Sequence, residues 1–127
     1  MQHFIFYVVN LQQRRFLLMN EIDKKYKELN QLIKKYHNVS LYASRPLPKL
    51  IAVSKQQPDK KILDALKIGQ RIFGENKLQE ALKRWSSIID IYKDIELHYI
   101  GHLQSNKVKA ALNFFDVIHT LDRESLA

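Results

Sequence analysis

The chain has 127 residues, the size of one ordinary domain, and at 46% hydrophobic and 27% charged it is built to bury a core, which excludes a disordered tail. It has no cysteine, so disulfides, thiolate metal sites and cysteine nucleophiles are excluded, and its 3 glycines argue against glycine-rich phosphate loops. The net charge of +8 is uneven, with 8 Lys/Arg against 3 Asp/Glu in residues 1–48 and 13 against 10 in the rest, but no nucleic-acid motif accompanies it.

Residues 1–18 read as an extension of uncertain order. The run Phe4-Ile5-Phe6-Tyr7-Val8-Val9 is too short to span a bilayer. It lacks a basic region before it and a small-residue cleavage site after it, so it is a poor signal peptide. Met19 directly precedes a clean helical pattern and marks the start of the domain proper, residues 19–127. These features predict a cytoplasmic protein with no membrane association.

Residues 20–37 carry Ile22, Tyr26, Leu29, Ile33 and Tyr36 on one face, with Lys24, Lys25, Lys34 and Lys35 elsewhere, the pattern of an amphipathic helix. Pro46 and Pro48 break the chain before a strand at about 49–54. Pro58 and Asp59 open a second helix with Ile62, Leu63 and Leu66 inward, and Gly69 is its natural stop. Arg71-Ile72-Phe73 reads as a short strand that ends in Gly74-Glu75-Asn76. A helix follows with a stripe of Leu78, Ala81, Leu82, Trp85, Ile88 and Ile89; Asn76 is a candidate cap, and Gln79 fits a capping-box variant. Glu96 to Ile100 is the next strand, Gln104 to Leu112 a short helix, and Asp116 to Thr120 a fourth strand. Asp122 is placed to cap a helix beyond it.

The predicted order is an N-terminal helix followed by about four βα units. Strands alternating with helices imply an α/β fold with a parallel sheet. The strand-end segments Ser54-Lys55, Gly74-Glu75-Asn76 and Gly101-His102 then gather along one edge, the carboxyl edge where α/β folds place their ligands. Lys55, at the end of the apolar run Leu50-Ile51-Ala52-Val53, is the leading candidate. An amine there can be desolvated and attack a carbonyl to form a Schiff base; its bland alternative is a solvated surface charge. Asn76 divides between ligand contact and helix capping, and Glu75 reads as an anion near a helix N-terminus. His98 and His102 read as packed or exposed, without the further ligands a metal site needs. Lys107 reads as solvated or as a phosphate contact, and Trp85 as core.

Four segments in order carry a resemblance: Leu50-Ile51-Ala52-Val53-Ser54-Lys55; Phe73-Gly74-Glu75-Asn76 with Gln79-Glu80; His98-Tyr99-Ile100-Gly101-His102-Leu103-Gln104-Ser105-Asn106-Lys107; and Ile118-His119-Thr120-Leu121-Asp122. From about residue 20 onward the chain resembles the YggS/PROSC family of pyridoxal phosphate homeostasis proteins, related to the N-terminal domain of alanine racemase. The resemblance implies a (β/α)8 TIM barrel of the fold type III kind, pyridoxal 5′-phosphate as cofactor, and a Schiff base on Lys55. It also implies that Asn76 and residues 101–107 line the cofactor face, and a carrier or homeostasis role without catalysis. Many family members carry a second lysine where this chain has Gln57. A closed barrel needs roughly 200 residues or more, so the resemblance implies an incomplete barrel, the N-terminal half. A truncation of this kind is expected to impair the site, because the family's phosphate loop lies in the other half. The open edge of a half-barrel implies self-association or a second half-barrel chain as partner. Two further readings stand beside this one: a degenerate remnant that binds nothing specific, and a basic module using residues 1–48 to bind nucleic acid or an acidic partner.

Overall fold

The computed structural model describes residues 7–10, 19–122 and 124. The elements run β1 (Tyr7–Asn10), α1 (Met19–Asn38), β2 (Leu50–Val53), α2 (Asp59–Lys67), β3 (Ile72–Glu75), α3 (Leu78–Ile91), β4 (Glu96–Tyr99), a 3-10 turn at Ser105–Lys107, α4 (Val108–Phe114) and β5 (Val117–Ile118). Each element from α1 onward sits where the hydrophobic period places it. One finding lies within the stretch read as an extension: Tyr7–Asn10 is a strand, paired parallel with β2 from Tyr7↔Leu50 to Asn10↔Val53. The helix expected after Asp122 lies outside the described residues.

The five strands form one sheet in the order β1-β2-β3-β4-β5, and every pairing is parallel. The core lies between one face of this sheet and helices α2, α3 and α4. Ala52, Phe73, Leu97 and Tyr99 alternate onto that face and meet Ile62, Ala65 and Leu66 of α2, Leu78, Ala81 and Trp85 of α3, and Ala111 of α4. Trp85 is fully buried with its ring centroid 4.7 Å from that of Phe73. Burying an aromatic pair of this kind stabilises the layer by several kcal/mol, about 1.5–3 per side chain from area alone. A doubly wound sheet reverses its strand order and takes helices on both faces. Here the order is sequential and these three helices share a face.

The opposite face carries Ile51 and Val53, both buried, and Ile72, Ile100 and Val117, partly buried. Gly74 belongs to it as well. A Cβ at Gly74 would meet Ile100 Cδ1 at 3.1 Å and Ile51 Cγ2 at 3.2 Å, so the missing side chain lets the flanking strands' isoleucines close over β3. Gly69 ends α2 with φ +100°, in the left-handed region that favours glycine. Its N–H bonds the Leu66 carbonyl at 3.1 Å. No helix among the described residues is long and apolar enough to cross a membrane.

Candidate functional site

Strand pairing aligns the ends of β2, β3 and β4. Val53 is opposite Gly74, and Gly74 is opposite His98. Lys55 and Asn76 each lie two residues past the pair Val53↔Gly74, so both stand at the carboxyl edge, at the ends of neighbouring strands. Ser54 and Glu75 both turn into the helix layer, where the Ser54 hydroxyl donates to Glu75 Oε1 at 2.6 Å. Lys55 and Asn76 come next along the chain, Lys55 in the turn after β2 and Asn76 in the bend after β3. Both are partly buried, and neither side chain enters a hydrogen bond or ion pair among the described residues.

Asn76 does not cap α3, in contrast to the role its position and Gln79 suggested. The residue at the cap position is Lys77, in extended conformation, and no side chain caps the helix. The tertiary contact that wins is with Gly101. A Cβ on Gly101 would fall 2.2 Å from the Asn76 carbonyl oxygen and 2.7 Å from its Cα. The two backbones therefore touch, which only glycine permits. The Ile100 N–H donates to the Glu75 carbonyl at 2.8 Å, and the Thr120 hydroxyl donates to the Gly101 carbonyl. Asn76 is thus pinned between the ends of β3 and β4.

Glu75, read as an anion near a helix N-terminus, is turned into the core beneath α3. It is the last residue of β3, fully buried, and its Oε1 accepts from Ser54 Oγ at 2.6 Å, Trp85 Nε1 at 3.0 Å and Arg84 Nη1 at 3.1 Å. Among the described residues its Oε2 has no hydrogen-bond partner. A buried carboxylate persists only when paired and hydrogen-bonded, and here one oxygen takes nearly all of that compensation. Trp85 is core as expected, with its indole N–H serving this network.

Arg84 was not singled out from the sequence. Its guanidinium donates to the Ser54 carbonyl at 2.7 Å, the Gln57 carbonyl at 2.7 Å, Glu75 Oε1 at 3.1 Å and Asp59 Oδ1 at 3.1 Å. Its neighbour Lys83 is exposed, and among so many cations an arginine looks solvated. The signal available was its spacing: it lies three residues after Ala81 and beside Trp85, flanking the buried stripe of α3. Gln57, at the place of the family's second lysine, is buried; its N–H donates to the Ser54 carbonyl at 3.1 Å and its Oε1 accepts from Lys61 at 3.2 Å.

A second polar group sits on the face of the sheet away from α2, α3 and α4, at β4 and β5. His98 is fully buried, with Nε2 2.7 Å from Glu96 Oε1 and Nδ1 2.8 Å from His119 Nε2. The simplest tautomer set gives each histidine its proton on Nε2. Burial raises the Glu96 carboxyl, but hydrogen bonds and charge from His98 and Lys49 outweigh it, and the net shift is downward. Burial, then the charge of His98, pushes His119 below the ordinary histidine value. His102 is exposed and pairs with Asp122 at 3.3 Å; Lys107 is partly buried. No group of three or more His, Cys, Asp or Glu side chains able to hold a metal occurs among the described residues.

No protein-family model matches the chain. Curated relatives do. The pyridoxal phosphate homeostasis protein of Vibrio cholerae is 42% identical over 86 residues, 66% of this chain and 36% of that protein. The human protein of the same name is 42% identical over 85 residues, 63% of this chain and 30% of that one. Among solved structures, PipY of Synechococcus elongatus PCC7942 with PLP bound superposes with a TM-score of 0.69 at 35% identity, covering 83% of this chain and 44% of that chain. A structure described as an unknown protein from Bifidobacterium adolescentis superposes at 0.70 with 25% identity over 85% of this chain and 47% of that one. The chain thus spans about a third of the length of the curated relatives it matches.

Proposed function

We propose that this chain, which belongs to the YggS/PROSC family of pyridoxal phosphate homeostasis proteins over the part its relatives match, holds pyridoxal 5′-phosphate on Lys55. The observation that carries the reading is the place of that amine. It stands at the carboxyl edge of a parallel sheet beside Asn76, and neither side chain is committed to a partner among the described residues. In singly wound α/β architectures that edge is where ligands bind. The sequential parallel order, with α2, α3 and α4 on one face, supports the further reading that the sheet is an arc of a (β/α)8 barrel. Lys55 and Asn76 then stand at the carboxyl rim of that barrel.

The residues present suit the aldehyde end of the group. When bound, pyridoxal phosphate supplies an aldehyde that condenses with an amine, with loss of water. Lys55 would supply that amine, and the group would be held there through a linkage that hydrolysis reverses. Asn76 offers an amide able to donate and accept beside it. Gly101, with no side chain, lets its backbone pack against that of Asn76. Reversible holding suits a carrier. Neighbouring groups in the helix layer are consumed in structure: Glu75 and Ser54 bond each other and turn away from the edge. We therefore read the protein as a cofactor holder rather than a catalyst.

The test is borohydride reduction of purified protein with limiting pyridoxal phosphate, followed by peptide mapping. Label concentrated on Lys55 and lost in Lys55→Ala supports the reading. Label scattered over many lysines and unchanged by the substitution overturns it.

A further inference from the structure

We propose that Arg84 is a positioning residue for Lys55, holding the β2–α2 turn in the one conformation that presents the amine at the sheet edge. The proposal rests on the reading of Lys55 as the cofactor lysine. Three geometric facts carry it. First, the guanidinium reaches both ends of the turn, bonding the Ser54 carbonyl just before Lys55 and the Gln57 carbonyl two residues after it, each at 2.7 Å. Second, the turn is strained: Gln56 has φ +57°, a left-handed conformation that a non-glycine residue adopts at a cost and keeps only when its surroundings enforce it. Third, the clamp is itself anchored. Arg84 bonds the buried Glu75 carboxylate on β3, and Asp59 at the start of α2, both at 3.1 Å.

One planar fork thus ties the strand that carries Lys55, the helix that follows it and the strand that carries Asn76. Only arginine does this. Its donors lie in a fixed plane and serve several acceptors at once, whereas a lysine ammonium is a single point charge on a flexible stem. Its side chain is 18% exposed, so little solvent competes for these bonds. The clamp lies in the helix layer, and it acts on backbone carbonyls rather than on the ligand. It is the device that lets a turn of ordinary residues hold a reactive amine still, and it needs no contact with the cofactor.

The experiment compares wild type, Arg84→Lys and Asp59→Ala, each checked for folding by circular dichroism. The first readout needs no cofactor: hydrogen–deuterium exchange in residues 54–59. The second is the share of borohydride-trapped label found on Lys55. In folded Arg84→Lys, exchange in 54–59 is expected to rise about tenfold while α3 and β4 stay protected, and the Lys55 share is expected to fall by a similar factor, since misplacement of about 1 Å costs up to a hundredfold in reaction. Folded Arg84→Lys with unchanged exchange and unchanged Lys55 share overturns the proposal. If Arg84→Lys does not fold, Asp59→Ala decides: it removes one outer anchor on an exposed residue, loosened exchange in 54–59 supports the clamp, and unchanged exchange overturns it. Scattered label in wild type, together with a loosened turn in Arg84→Lys, sinks the cofactor reading and leaves the clamp standing. Selective label in wild type with an unmoved turn does the reverse.

Discussion

Replacing Glu75 by alanine is expected to destabilise the protein by about 3–5 kcal/mol, the range for breaking a buried ion pair. The sum follows from what the carboxylate holds. Trp85 Nε1 loses its acceptor, and an indole N–H stranded in the core costs about 1–3 kcal/mol. The Ser54 hydroxyl loses its 2.6 Å bond and keeps only a 3.3 Å contact to the Gly74 carbonyl, a further loss of about 1 kcal/mol. The Arg84 cation keeps its other acceptors, Ser54, Gln57 and Asp59, so it is not orphaned and adds less. The methylene groups removed leave a small cavity beneath the sheet. Glu75→Gln should cost less, about 1.5–3 kcal/mol, because an oxygen remains for Trp85 and Ser54 while the new NH2 takes the place of Oε2, which has no partner among the described residues. Urea unfolding followed by fluorescence is the assay, since Trp85 is the only tryptophan and sits against the mutated group. Circular dichroism as a second probe separates a local change from global unfolding. A Glu75→Ala midpoint within about 0.5 kcal/mol of wild type, where ordinary surface substitutions fall, would refute the account of this network.

Three other outcomes follow from the same geometry. Gly101→Ala drives a Cβ into the Asn76 backbone, so it should cost about 2 kcal/mol or more and disturb trapping at Lys55; a full-strength variant would mean the two strand ends are not in contact. Gly69→Ala meets open space but keeps φ +100°, so its cost should be about 1 kcal/mol from backbone strain alone, read from the urea midpoint. The protein should lose stability on acidification in two stages. His119 has a folded pKa below the ordinary histidine value of about 6.5, so its contribution is present above that value and is lost as pH falls through the folded value. Glu96, lowered from 4.5, acts in the same direction below 4.5. Urea midpoints between pH 8 and 2.5 measure this, and His119→Gln should flatten the first stage; an unchanged slope would argue against the assignment.

The elements from α1 onward were legible because their signals are local. Ile62 and Leu66 repeat at helical spacing, the run from Leu50 to Val53 is bounded by turn residues, and Gly69 stops α2 where only glycine is comfortable. The same logic placed Lys55 and Asn76 at strand ends, and parallel order then set them on one edge without any side-chain detail. What the sequence could not show depends on partners far along the chain. The pairing of Tyr7–Asn10 with β2 joins segments about forty residues apart, and no local period announces it. Asn76 is a sound cap by composition, yet contact with Gly101 outweighs the capping bond. Glu75 and Arg84 look like surface charges because a formula of residue types does not say which way a side chain turns; that is decided by the register of β3 on β2 and by how α3 sits across both. Hydrophobic period determines which residues enter the core, but packing of one element on another determines which polar groups meet there, since a buried charge is tolerated only where its partner arrives from elsewhere in the fold.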